Sequence, residues 1–286
     1  SYWTTEFKLD GYRFDLSKGF SQRNVGTSDG DVSAWSAYDA SRIALWKEYN
    51  QHIKSIQPAS YVILEHFADD REEAELAASG MLLWNNMNHA FGEALMGYNS
   101  NGQSSLKRLF KENHGFAQAH LVSYMESHDE ERLLFKALQY GNSAGSYSAK
   151  TLATALSRSA MAATFLMLSP GPKMLWQFGE YGYDVSIDEQ GRTGEKPLRW
   201  NYLQEDARQA LFQKYRRVIQ YKRKNAIFRD AAVSAQVDGE LKYFVLSAAG
   251  ERVLVIGNFG VSAQRIRVDA TLAGAWKNNE LKTSIS

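Results

Sequence analysis

The sequence predicts an α/β protein with a parallel sheet, followed by a small antiparallel β-domain. Short apolar runs alternate with segments of helical periodicity up to about residue 228, which is typical of a parallel sheet. Polar and charged residues repeatedly follow these runs, and in a barrel the carboxyl ends of the strands carry the active site. Beyond residue 228, closely spaced strand-like runs replace the helical pattern.

Five apolar runs are predicted as parallel strands: Leu9–Phe14, Tyr61–Leu64, Met81–Trp84, Leu121–Met125 and Met174–Phe178. Apolar spacing predicts helices over Tyr38–Ile56, Asp70–Ala78, Ser104–Lys111, Ser148–Leu168 and Asp206–Lys224. Ser1–Phe7 resembles the second half of a helix, and Gly19–Ser33, without an apolar period, predicts a loop. We interpret the charged run Asp69–Glu75 as a solvated helix face.

The C-terminal part is predicted as a second unit. We place the boundary at residue 228, with the barrel part over 1–228 and a β-sandwich-like domain over 229–286. Its strand-like runs are Leu241–Leu246, Arg252–Ile256 and Gln264–Val268. Because Trp276–Ser286 has no clear final strand, we expect this domain to be cut short.

Composition excludes several classes of function. The 286 residues include 33 basic and 32 acidic side chains, so a formal net charge of +1 predicts no nucleic-acid partner. The chain has no cysteine, which excludes disulfide and thiolate chemistry. No apolar run reaches the roughly 18–20 residues of a membrane helix. No signal peptide is visible at residue 1, although an upstream segment could carry one.

Three acidic residues follow three different predicted strands: Asp15, Glu65 and Asp129. Arg13 and Asp15 are two residues apart and project to the same side of a strand. The guanidinium favours the ionised form of Asp15, whereas the apolar run before Glu65 favours its protonated form. Taken alone, Arg13 and Asp15 fit a structural ion pair equally well.

Separated pKa values are what glycoside cleavage requires of two carboxyl groups. One carboxylate attacks or stabilises the oxocarbenium-like centre, and one carboxylic acid protonates the leaving oxygen. Asp15 suits the first role and Glu65 the second. In a retaining enzyme we expect these two carboxyl groups to lie about 5–5.5 Å apart.

Four motifs, in order, resemble the α-amylase superfamily of retaining (β/α)8 glycoside hydrolases. GYRFDLSK (Gly11–Lys18) resembles the fourth-strand motif, and ILEHF (Ile63–Phe67) resembles the fifth. ESHDEER (Glu126–Arg132) resembles the seventh, and GPKMLWQFGE (Gly171–Glu180) resembles the eighth strand with its entry turn. The resemblance covers nearly all of residues 1–224 and implies a partial TIM (β/α)8 barrel that holds strands 4–8.

The resemblance also implies roles for individual residues. Asp15 matches the nucleophile, Arg13 its neighbour, and Glu65 the general acid/base. His128 and Asp129 match the pair that binds sugar hydroxyls beside the scissile bond. Asp129 is the third member of the catalytic set, after Asp15 and Glu65.

Further positions match substrate-binding residues of the family. Lys18 matches a lysine near the acceptor sites, and Arg132 matches a sugar-contacting arginine of some relatives. Trp84, Trp176 and Tyr181 are candidate sugar platforms, with core packing favoured for the two tryptophans. One departure is Gly19, where the family usually has a histidine, so the acceptor site is expected to differ.

By resemblance we expect hydrolysis of α-1,4-glucosidic bonds in starch, glycogen or maltodextrins by double displacement, with an α-glucan as partner. Two alternatives stay open: an α-glucan transferase or branching enzyme, and a non-catalytic carbohydrate-binding relative. The Glu65-His66-Phe67 sequence favours a hydrolase. The family's first three strands and first motif have no counterpart, so we expect the isolated chain to be inactive or to close by self-association.

No metal ligand is assigned from the sequence. By resemblance, Ca²⁺ is expected as a cofactor only of a longer enzyme. In the family, the chain segment inserted after the third strand helps to hold this ion, and that segment has no counterpart here. The sequence does not determine the cellular location, and the resemblance slightly favours an extracellular or periplasmic one.

Overall fold

The computed structural model describes residues 2–23, 26, 28, 33–265, 276–278 and 283–285. Four parallel strands form one sheet in chain order. They are β1 (Gly11–Phe14), β2 (Tyr61–Leu64), β3 (Leu82–Asn86) and β4 (Leu121–Tyr124). This sheet and a C-terminal antiparallel sheet confirm the predicted fold class. Because the strands are parallel and in register, their carboxyl ends share one edge, as in part of a barrel.

The close approach of β1 to β2 requires glycine at position 11. A Cβ atom added there would lie 2.4 Å from the carbonyl oxygen of Tyr61, its partner in the strand register. Any side chain at this position would push the two strands apart. The register places Phe14 opposite Leu64, so Asp15 and Glu65 follow at equivalent points.

The prediction of a fifth strand at Met174–Phe178 is wrong. One parallel bridge, between Ser123 and Lys173, extends the sheet beyond β4. The backbone then leaves the extended conformation, since Phe178 has a left-handed φ of 62° and a 3-10 turn follows. The segment therefore lies against β4 at its start and turns away before a ladder forms.

The helices largely follow the sequence pattern. The predicted helices correspond to α1 (Tyr2–Phe7), α2 (Ala40–Ile56), α3 (Asp70–Ala78), α6 (Leu152–Leu168) and α7 (Asp206–Lys224). Two further helices, α4 (Asn88–Met96) and α5 (Leu133–Tyr140), were not predicted. The helix predicted at Ser104–Lys111 is wrong, because this stretch contains only the 3-10 turn Lys107–Leu109, which a second turn, Lys111–His114, follows. The described residues of Gly19–Ser33 are mainly loop, and the others lie outside the described ranges.

The C-terminal sheet is antiparallel, as predicted. Its strands are β7 (Ala232–Gln236), β8 (Leu241–Ala248) and β9 (Glu251–Asn258), and a small hairpin, β5 (Ser143–Ala144) and β6 (Tyr147–Ser148), precedes α6. Gln264 and Arg265 lie in no strand, and the rest of that predicted run falls outside the described residues. The expectation of no strand in Trp276–Ser286 is wrong, since β10 (Trp276–Asn278) pairs with β11 (Thr283–Ile285).

Helix α6 packs directly against the C-terminal sheet. Phe165 of α6 makes edge-to-face contacts with Phe244 and Phe259, with ring centroids 5.6 and 5.2 Å apart. The buried Arg158 guanidinium donates hydrogen bonds to the carbonyl oxygens of Ala94 and Phe259, so it joins α4 to the end of β9. The domain boundary at residue 228 stays a prediction. Within the described ranges, no helix has the length and apolar composition needed to cross a bilayer.

Candidate active site

One guanidinium joins two of the predicted catalytic carboxyl groups. Arg13, on β1, places Nη1 2.5 Å from Oδ1 of Asp15 and Nη2 3.0 Å from Oε2 of Glu65. The Arg13 guanidinium also lies over the ring of Trp84, 5.3 Å from its centroid. The structure therefore brings Arg13, Asp15 and Glu65 together at the carboxyl edge of the sheet.

The pKa values of the two carboxyl groups move apart. The hydrogen bond from Arg13 lowers the pKa of Asp15, whose side chain is 77% exposed, and His128 adds a smaller effect in the same direction. Burial raises the pKa of Glu65, whose side chain is only 13% exposed, despite a hydrogen bond from the Leu16 N–H at 2.8 Å. Asp15 is thus favoured as a carboxylate and Glu65 as a carboxylic acid.

The loop after β1 is attached to the end of β2 by Ser17. Its backbone N–H and its hydroxyl both donate to the Glu65 carbonyl oxygen, at 2.8 and 2.9 Å, and the hydroxyl lies 2.8 Å from Nδ1 of His66. Leu16 has a left-handed φ of 40°, a strained conformation for a leucine, which turns its N–H toward the Glu65 carboxyl group. These contacts set the relative position of the two carboxyl groups.

A buried cluster of ionisable side chains, Arg42, Glu72 and His66, packs against this loop. Arg42 contacts Glu72 in the interior, and Nε2 of His66 lies 2.8 Å from Oε1 of the same carboxylate. The interpretation of Asp69–Glu75 as a solvated face is therefore wrong, because Glu72 and Glu73 are 0% and 5% exposed. Burial lowers the pKa of His66 and so favours its neutral form.

His128 and Asp129 lie together after β4. Nε2 of His128 is 3.2 Å from Oδ2 of Asp129, and both side chains are about half exposed. They line a cavity of about 580 Å³, together with Trp176, whose ring centroid is 5.8 Å from that of His128. Arg192, which the sequence analysis did not identify, lines the same cavity and donates to the Asp129 carbonyl oxygen.

Arg132 lines the same cavity but is only 4% exposed. Its Nη1 donates to the Ser127 carbonyl oxygen at 2.8 Å, and its guanidinium lies over the rings of Trp176 and Tyr183. These contacts attach the guanidinium to the motif after β4. A direct contact of Arg132 with sugar stays a prediction.

Two other predicted positions differ in outcome. Lys18 extends Nζ to the Ser36 hydroxyl at 3.0 Å and to the carbonyl oxygen of Phe67, two residues after Glu65, at 3.5 Å. Its binding role stays a prediction. Tyr181 as a sugar platform is wrong, because it is 9% exposed and stacks on Phe212 at 5.0 Å. The tyrosine ends the 3-10 turn Gly179–Tyr181 and packs in a small hydrophobic cluster with Phe178 and Tyr183.

The residues that the sequence analysis missed are Ser17, Arg42, Glu72 and Arg192. Ser17 lies inside a recognised motif, but nothing in the spacing distinguishes it from its neighbours. Glu72 could have been found only as the acidic residue on the apolar side of α3, next to the buried Leu76 and Ala77.

The acidic and histidine side chains of the described residues form no group that suits calcium. Among them, Asp70, Glu73 and His114 form the one group of three or more acidic, histidine or cysteine side chains whose donor atoms could share a metal ion. Calcium prefers six to eight oxygen ligands, and this group offers a histidine nitrogen with two carboxylates. We therefore assign no step of catalysis to calcium.

Comparison of the sequence with family models matches residues 1–249 to the catalytic domain of alpha amylase. A search of the curated proteins found no significant match. The family match includes all seven of the predicted site residues.

Solved structures share the fold. An alpha-amylase from Anoxybacillus is 16% identical with a TM-score of 0.67, and the alignment covers 99% of this chain and 56% of that chain. AmyP in complex with maltose is 14% identical with a TM-score of 0.66, covering 99% and 61%. A Nostoc punctiforme debranching enzyme is 18% identical with a TM-score of 0.56, covering 91% and 50%. The chain thus spans roughly half of the length of the structures that it matches.

Proposed function

Because this chain belongs to the alpha amylase catalytic-domain family, we propose that it supplies the catalytic residues for retaining hydrolysis of α-1,4-glucosidic bonds in starch, glycogen or maltodextrins. The observation that supports this proposal is the contact of Arg13 with both Asp15 and Glu65. Arg13 favours the charged form of Asp15, and burial favours the protonated form of Glu65, at the same edge of the sheet. Such a pair is what a double-displacement glycosidase needs.

The proposed reaction has two steps. In the first, the Asp15 carboxylate attacks the anomeric carbon while Glu65 donates its proton to the glycosidic oxygen, so that the C–O bond breaks and a glycosyl ester forms. In the second, Glu65 takes a proton from water, and the hydroxide oxygen displaces Asp15 from the anomeric carbon. His128 and Asp129 hold the hydroxyl groups of the sugar that is transferred.

The partial burial of Glu65 supports its role as acid. A carboxyl group that donates a proton near neutral pH needs a raised pKa, and burial supplies this for Glu65. Asp15 is open to solvent on the same edge, where a sugar ring can reach it. Arg13 would also stabilise the carboxylate that Glu65 becomes after the proton leaves.

The decisive experiment incubates soluble starch with the protein expressed from its complete coding sequence. Hydrolysis raises reducing sugar, and NMR of the first products would give the α-anomer. A transferase would change chain length or branching with little reducing sugar, and a binding module would give no new product. Loss of the α-anomer in favour of the β-anomer would contradict the retaining mechanism.

We also propose that the 286-residue chain alone is inactive or associates with another chain. Its described residues contribute four parallel strands, whereas closing a (β/α)8 barrel takes eight. Size-exclusion chromatography combined with the starch assay tests this proposal. A stable monomer of this chain that degrades starch would contradict it.

A further inference from the structure

A second cluster of ionisable side chains lies beside the site, at the start of α3. It comprises Asp70 and Glu73 of α3 and His114 at the end of the 3-10 turn Lys111–His114. One donor atom from each residue lies within 4.8 Å of the other two. We infer that these three side chains bind a divalent transition-metal ion of the zinc class.

The orientation of His114 is the first observation that points to a metal. Nε2 of His114 lies 2.9 Å from the Arg108 carbonyl oxygen, so the ring donates its proton there and presents a lone pair at Nδ1. His114 is 4% exposed, and its Nδ1 is a buried nitrogen without a hydrogen-bond partner. Metal-binding histidines usually donate their second N–H to a carbonyl or carboxylate in this way.

That free nitrogen faces the carboxylates. Nδ1 of His114 is 3.7 Å from Oδ1 of Asp70, too far for a hydrogen bond and close to the spacing of two ligands around a zinc ion. An unpartnered ring nitrogen aimed at two carboxyl groups would be stabilised by a cation between them.

Glu73 provides a buried oxygen donor. It is 5% exposed, and among the described residues no lysine, arginine or histidine forms an ion pair with it. One of its oxygens, Oε1, accepts a hydrogen bond from the Ala68 N–H at 3.2 Å. A metal ion would supply the positive charge that this buried carboxylate lacks.

Arg108 would compete with a metal ion for the carboxylate of Asp70. Its Nη1 and Nη2 donate to Oδ2 and Oδ1 of Asp70 at 2.8 and 2.7 Å. The Arg108 side chain is 46% exposed, and each carboxylate oxygen has two lone pairs, so Asp70 can accept Arg108 and still bind a metal. The like charge of the guanidinium should nevertheless weaken metal binding.

The donor set selects the ion. One imidazole nitrogen with two carboxylate oxygens suits zinc and other first-row divalent ions, whereas Ca²⁺ and Mg²⁺ prefer oxygen alone. Glu73 and His114 also line a cavity of about 390 Å³ that Phe67, two residues after Glu65, borders. Water in this cavity could take the fourth ligand position of a tetrahedral ion.

The test titrates the metal-free full chain with Zn²⁺ against a chromophoric chelator and with Co²⁺ by visible absorption. We expect one ion per chain and the intense d–d bands of a tetrahedral Co²⁺ site. His114→Ala should weaken Zn²⁺ binding by about a hundredfold or more, since it removes the one nitrogen ligand. His52→Ala, which removes an exposed histidine of α2, is the matched control and should leave the affinity unchanged.

Arg108→Gln separates this site from adventitious binding elsewhere. Glutamine can still donate a hydrogen bond to Asp70 but carries no charge, so we expect Zn²⁺ affinity to rise by about tenfold. Failure of the wild-type chain to bind stoichiometric Zn²⁺ or Co²⁺ would overturn the inference, whether or not a variant folds. Unchanged affinity in a folded His114→Ala variant would overturn it equally.

Discussion

Glu72 receives two hydrogen bonds from Arg42 in the protein interior, from Nε to Oε1 at 2.6 Å and from Nη2 to Oε2 at 2.8 Å. Their side chains are 0% and 1% exposed. The same guanidinium donates to the carbonyl oxygen of Lys18, so the pair connects α2 and α3 to the loop that carries Asp15. This buried ion pair therefore supports the loop of the candidate active site, although it is itself closed to solvent.

Glu72→Gln should lower the free energy of unfolding by about 3–5 kcal/mol, because it leaves a buried guanidinium without its counter-charge. Urea unfolding followed by circular dichroism measures this. Glu75→Gln on the same helix is the control, since that side chain is 44% exposed; we expect a change within about 0.5 kcal/mol. Equal effects of the two substitutions would show that burial of the pair does not determine stability.

Asp39→Asn should make the free energy of unfolding less dependent on pH in the acidic range. Burial of Asp39 would raise its pKa, but hydrogen bonds from Ser41, Ser21 and the Arg42 N–H outweigh it and lower the pKa to about 2. A lowered pKa in the folded state stabilises the protein above the ordinary value of 3.8, and this stabilisation is lost as the pH falls toward 2.

Asparagine can still cap α2, so the substitution removes mainly the charge of Asp39. We expect a loss of about 2 kcal/mol at pH 7 that disappears near pH 2. Urea titrations at several pH values measure the difference. A constant difference between the two proteins from pH 2 to 7 would contradict the assignment.

Asp15→Asn should abolish glucan cleavage by the protein expressed from its complete coding sequence, since the amide cannot form the glycosyl ester. The side chain is 77% exposed, so the unfolding midpoint should change little. Reducing-sugar release and thermal unfolding are measured on the same preparation. Appreciable turnover by the variant would remove Asp15 from the nucleophile role.

Arg13→Gln should move both limbs of the pH–rate profile to higher pH. Arg13 lowers the pKa of Asp15, which must be ionised, and that of Glu65, which must be protonated. Without the guanidinium both pKa values rise, so activity on the acid side is lost at a higher pH and activity on the alkaline side persists further. Turnover of a chromogenic α-maltoside across pH provides the measurement.

The control for Arg13→Gln is Arg71→Gln, which removes an arginine that is 77% exposed and does not contact either carboxyl group. We expect its profile to match that of the unmodified protein. A profile of the Arg13 variant that keeps both limbs in place, or moves them to lower pH, would contradict the role assigned to this guanidinium.

The sequence alone was enough to locate the central group of residues. Arg13 lies in β1 with Asp15 two residues later, and Glu65 follows β2, so alternation and parallel pairing together place them at one edge. The strand register brings Asp15 next to Glu65, because equivalent ends of adjacent parallel strands lie side by side. That the pKa values of Asp15 and Glu65 separate also follows from residues close in sequence or in register.

Other features depended on distant parts of the chain. Asp69–Glu75 reads as a solvated face, yet Glu72 is buried because Arg42, thirty positions earlier, meets it. Tyr181 is a core residue because Phe212 of α7 stacks on it. The donor group of Asp70, Glu73 and His114 likewise forms only when the turn after Arg108 folds back onto α3.

What this sequence determined by itself is the alternation of strands and helices and the positions of charged side chains at strand ends, since both depend on local backbone geometry. What only the tertiary structure decided is which charges are buried and what they contact, as with Glu72 and Arg42. The physical reason is that burial and pairing are properties of surfaces brought together from distant segments, which no local pattern contains.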